Sequence, residues 1–115
     1  MEIEMNITER ILFGPILPTE GSVFDIRLAN DLRDKINLSE AEMDKIKLKQ
    51  EKDRYVWDSK IAEETKKTIK FGDRTKKMLQ KQIEKFNSQE KISLALLEIF
   101  EKFDLLPDNL KEVKE

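Results

Sequence analysis

Neither cysteine nor histidine occurs anywhere in this chain. No disulfide and no imidazole-held metal can staple it, so the fold must rest on apolar packing, helix caps and charge pairs alone. That is a demanding condition for 115 residues of which 40% are charged and 38% hydrophobic, because a short chain buries a smaller share of its surface than a long one. The apolar residues nevertheless fall in periodic patches, which predicts a folded chain with one modest core, extended by self-association. The same two absences remove the commonest general base, the commonest metal ligand and the thiol nucleophile together.

Charge is distributed unevenly behind a net value of −2. Residues 1–45 hold ten acids and five bases, residues 66–85 eight bases and two acids, and residues 86–115 seven acids and four bases. An acidic, basic, acidic order allows the segments to pair within the fold, to pair across a dimer, or to leave the basic middle free for an anionic ligand. The opening MEIEMNITER lacks the basic start and apolar run of a secretory signal. No apolar stretch approaches the roughly 20 residues that cross a bilayer. The expectation is a soluble, cytoplasmic protein without a membrane partner.

Local signals predict the elements. Asn6 with Glu9 three residues on reads as a capping box, opening a helix with Ile7, Ile11, Leu12 and Ile16 on its buried side. Gly14-Pro15 either kinks that helix, which is the favoured reading, or ends it early with Ile16-Leu17-Pro18 extended, and Pro18-Thr19-Glu20-Gly21 makes a turn with the glycine free to take positive φ. A second helix from about Ser22 places Phe24, Leu28 and Leu32 on a core stripe beside Ala29 and Ile36. Ser39 and Glu42 form a second capping box, with Leu38 stapled onto Met43. Alternation around Ile46 and Leu48, a polar turn at 51–54, and Tyr55-Val56-Trp57 predict a β-hairpin. Residues 59–65 read as a polar connection, and Thr68 to Phe71 as a third strand ending at Gly72.

A basic helix over 74–85 follows, with Thr75, Met78, Leu79, Ile83 and Phe86 inward. Asn87-Ser88 breaks it, and Asn87 or Ser88 caps a last helix, with Glu90 available for a box and Ile92, Ala95, Leu96, Ile99 and Phe103 buried. The predicted class is α+β: an N-terminal three-helix unit, a small antiparallel β-sheet made of the hairpin plus one strand, and two C-terminal helices. Residues 1–106 form a single domain and 107–115 a charged tail, in which Leu110 and Val113 are available to dock.

Glu9-Arg10, Ile16-Leu17-Pro18, Glu20-Gly21, Leu32-Arg33, Ser39-Glu40, the hairpin with Trp57, the passage through Gly72 and the closing Ile99-Phe100-Glu101-Lys102-Phe103 together resemble a group of small proteins encoded by phages and prophages. The resemblance spans most of the chain, and Gly14-Pro15 departs from its pattern. Its motifs are turns, caps and core positions, so it implies a phage or mobile-element origin and a bacterial host cytoplasm, and no particular activity.

Catalytic constellations are missing from the sequence. The three glycines are isolated and none precedes a Lys-Ser or Lys-Thr pair, so there is no phosphate loop. A metal site would need carboxylates alone, and Asp31 and Asp34 have Arg27 and Lys35 close enough to neutralise them. No cofactor is expected. Ser22, Ser39, Ser59, Ser88 and Ser93 have no histidine to activate them and suit caps better. No enzymatic activity is expected.

Two binding readings remain. Tyr55 and Trp57 project to one face of a strand, and Leu94, Leu97 and Phe100 lie outside the inward stripe of the last helix. These five residues are the candidates for binding a protein partner or a second copy in a homodimer. This predicts a non-enzymatic protein-interaction module, an accessory or regulator. The alternative is a winged-helix-like nucleic-acid binder using the 47–57 hairpin and the basic helix 74–85, through Lys49, Arg54, Arg74, Lys76, Lys77, Lys81 and Lys85. Its weakness is the third helix, which carries Glu40, Glu42 and Asp44 against one base, Lys45.

Overall fold

The structure, a computed structural model, describes residues 1–112. The α+β class is as expected. In order, the elements are β1 (Glu2–Asn6), α1 (Ile7–Phe13), α2 (Val23–Ile36), α3 (Glu40–Lys45), β2 (Lys49–Glu51), β3 (Arg54–Val56), α4 (Ser59–Glu64), β4 (Lys66–Lys70), α5 (Asp73–Ser88) and α6 (Leu94–Lys102). Single 3-10 turns cover Gly14–Ile16 and Asp108–Leu110.

Helix starts follow the side-chain chemistry of the sequence. Asn6 Oδ1 accepts from the Glu9 amide at 2.8 Å while Glu9 Oε1 accepts from the Asn6 amide at 2.9 Å, so two otherwise orphaned donors are satisfied reciprocally. Ser39 and Glu42 repeat the arrangement at α3, and Ser22 caps α2 through the Asp25 amide. Pro15 does not kink α1. The α-helix stops at Phe13 and tightens into the 3-10 turn, because proline lacks the amide that an interior turn needs.

The sheets differ from the expected single sheet. The third strand forms, but it pairs antiparallel with β1, in register Ile3 to Ile69 and Met5 to Lys67. The hairpin β2–β3 makes a separate two-stranded sheet. Burial explains the choice: Ile3 and Met5 alternate with exposed glutamates and, with Ile69, present an apolar face to the main core. The hairpin strands have no buried side chain to offer. Residues 59–64, expected as a connection, are helical because Asp58 caps them through the Ile61 amide at 3.1 Å and Ala62 is buried.

Two apolar clusters result. The larger gathers Ile3 and Met5 of β1, Phe13, Ile16, Leu32 and Ile36, Met78, Leu79 and Ile83 of α5, and Ile99, Phe100 and Leu105. The smaller joins Ile7, Ile46 and Ala62 beneath Leu48 and Trp57. Phe13, absent from the predicted stripe, is fully buried and meets Phe100 edge-on with ring centroids 6.5 Å apart. Phe24, predicted in the core stripe, is instead 60% exposed. Leu110 packs against the main core; Val113 lies outside the described residues.

Helix ends share one device. After α3, α5 and α6 the chain turns through Lys47, Glu90 and Asp104, each at a φ between 53 and 56°. In each case the next amide reaches back to the carbonyl five residues earlier: Leu48 to Met43, Lys91 to Phe86 and Leu105 to Phe100, at 2.9 to 3.0 Å. These are Schellman closures in which a side-chain-bearing residue takes the left-handed position usually given to glycine. The closure at Glu90 places the break after α5 beyond Asn87-Ser88. α6 therefore starts later than expected, with Ser93 as its cap.

Candidate functional site

Arg10, 2% exposed, is the most deeply buried charge among the described residues. Its Nε donates to the Ile36 carbonyl at 2.9 Å and Nη2 to the Asn37 carbonyl at 2.8 Å. The guanidinium thus satisfies the carbonyl end of α2, where the helix dipole also favours a cation. Both terminal nitrogens donate to the Glu42 carboxylate. Those bonds, with help from the Ser39 amide, hold the Glu42 carboxyl down at about 2 against its desolvation. Glu9 is tied similarly, with Oε2 accepting from Lys102 Nζ at 2.9 Å. A cavity of about 430 Å³ adjoins Arg10, but the arginine has already committed four of its five N–H groups. Arg10 and Glu9 join helices; they are not poised for a ligand.

The surface residues divide differently from the expectation. Tyr55 is 60% exposed on the hairpin, whereas Trp57 is half-buried over the smaller cluster, its indole N–H enclosed without a hydrogen-bond partner. β3 ends at Val56, so the two rings do not form one exposed pair. Leu94 is 73% exposed and Leu97 half-buried. Phe100 is fully buried, so it belongs to the core and not to any free surface. α6 needed Phe100 inward because the ring closes over Phe13, a residue the periodicity reading left out.

Of the basic candidates, Lys49 and Arg54 lie exposed on the hairpin, and Lys85 is exposed on α5. Lys76 faces Asp104 at 4.0 Å. Arg74, Lys77 and Lys81 come together, lining a groove of about 260 Å³ between α5 and α2 with Phe24, Leu28 and Met78. The Arg74 guanidinium lies 5.1 Å from the Phe24 ring centroid, and Lys81 Nζ is 2.9 Å from Asp25. No carboxylate among the described residues pairs with Arg74 or Lys77. This groove joins an exposed aromatic, an apolar floor and uncompensated positive charge. Sequence reasoning found its bases but assigned Phe24 to the core; the clue was that Phe24 sits in the first turn of α2, where the stripe has not yet reached the core.

Other chemistry has little support. Lys35 pairs with Asp31 at 3.3 Å, and among the described residues no three acidic side chains converge as a metal-binding group. No described helix is long and apolar enough to cross a membrane. Comparison of the chain with family models, curated proteins and solved structures finds no match in any of the three.

Proposed function

We propose that this chain is a non-enzymatic protein-interaction module that receives an acidic, apolar-anchored segment in the groove between α2 and α5. The observation that carries the reading is Phe24: a phenylalanine 60% exposed beside Leu28 and Met78, with Arg74 and Lys77 at the rim lacking a carboxylate partner among the described residues. An exposed aromatic next to apolar side chains is the usual anchor of a protein contact, and a rim of one charge sign selects a partner of the other. A cavity of about 260 Å³ accommodates one or two side chains. On this reading the protein is an accessory or regulatory factor.

A second reading, nucleic-acid binding, is favoured by the hairpin, whose Lys49, Arg54 and Tyr55 are all exposed. Three features weigh against it. Glu42 of α3 is engaged by Arg10, leaving exposed Glu40 and Asp44 where a winged helix would read bases. Lys76 and Lys81 already face carboxylates. The hairpin belongs to the smaller cluster while the α5 bases border the larger, so the two basic groups do not form one shared groove.

The test is affinity capture from bacterial lysate with nuclease, comparing the native chain with Phe24→Ser. A protein retained by the native chain after nuclease and lost with Phe24→Ser is the expected result. Material that disappears with nuclease and is indifferent to Phe24 overturns the proposal in favour of the nucleic-acid reading.

A further inference from the structure

The groove has a matching counterpart on the same molecule. Leu94, Glu98 and Glu101 are exposed along α6 at spacings of four and three residues, which sets them on one stripe. On α5, Arg74, Lys77 and Lys81 are spaced by three and four. In both stripes the end residues are seven positions apart, about 10 Å of helix. Laid antiparallel, Glu101 comes opposite Arg74, Glu98 opposite Lys77, and Leu94 opposite Lys81.

The charges that meet in this register are the ones left unpaired. Glu98 and Glu101 have no cation partner among the described residues, and Arg74 and Lys77 no carboxylate. The base at the leucine's level, Lys81, is already satisfied by Asp25, so Leu94 is free to seat on Leu28 and Met78. Leu94 is 73% exposed, so the helix does not fill its own molecule's groove.

We propose that the occupant of the groove is α6 of a second copy of this chain. The proposal rests on the groove being a protein-docking surface and names its partner. The groove and the helix are different surfaces of the chain, so the contact joins unlike patches, and it either closes reciprocally into a pair or continues into rings or chains. Leu97 and Phe100 take no part, because they face the core.

Sedimentation velocity of the full chain over a concentration series tests this, using Lys77→Glu to disable the groove and Glu98→Lys to disable the helix. The native chain is expected to associate, and each variant alone to do so about tenfold more weakly or worse, since each sets like charges together. Mixing the two variants sets native groove against native helix and reversed groove against reversed helix, so opposite charges meet at both contacts and association returns. Carrying both substitutions in one chain likewise pairs reversed groove with reversed helix and restores association. A mixture that does not regain association, or association indifferent to either substitution, overturns the proposal. A native chain that stays monomeric also overturns it; if that chain still retains a nuclease-resistant partner through Phe24, the groove reading survives with a different occupant, and if it retains none, both fall.

Discussion

Arg10 and Glu42, 32 residues apart, form a bidentate ion pair in which the arginine also closes the carbonyl end of α2 and the glutamate also closes the capping box of α3. Three helices therefore depend on two side chains. Arg10 is shielded from water, and removing its partner leaves a buried cation with only the two carbonyls.

Glu42→Gln is expected to cost about 2 kcal/mol at neutral pH, read by urea denaturation. The pH dependence has a defined sign. The folded-state pKa of Glu42, about 2, lies below its ordinary value of 4.5, so the pair's contribution is fully present above about pH 5 and is lost as pH falls toward 2. Stability of the native chain declines through that window, and Glu42→Gln declines less steeply. Equal slopes would assign acid sensitivity to other carboxylates.

Glu90→Gly is expected to stabilise the fold by about 1 kcal/mol, because the left-handed turn after α5 currently strains a residue with a β-carbon. Glycine within the helix at Lys85 acts oppositely, costing about 1 kcal/mol. Thermal melts of the two variants should shift in opposite directions.

Phe100→Ala and Leu94→Ala separate core from surface on one helix. The first removes a ring buried against Phe13 and should cost about 3 to 5 kcal/mol. Leu94→Ala should leave stability within about 0.5 kcal/mol while weakening self-association. A large loss of stability with Leu94→Ala would place that side chain in the fold.

Caps were the legible part of this sequence. Asn6, Ser22 and Ser39 announce helix starts because the cap is chemistry within three residues. Helix ends were less legible because Glu90 and Asp104 do what glycine usually signals, which displaced the start of α6. β1 escaped notice because its five residues acquire meaning only through a partner sixty or more residues away. α4 hid behind a polar surface with one buried alanine. The groove was half visible: the row of bases on α5 could be read, but the position of Phe24 depends on how α2 lies against α5.

The most direct measurement compares two surfaces of the same chain in nuclease-treated capture: Phe24→Ser with Lys77→Glu in the groove, and Arg54→Glu with Tyr55→Ser on the hairpin. All four side chains are exposed, so both variants should keep the native fold by circular dichroism. The account predicts that the groove variant loses the bound protein and the hairpin variant keeps it. Loss with the hairpin variant and retention with the groove variant would contradict it.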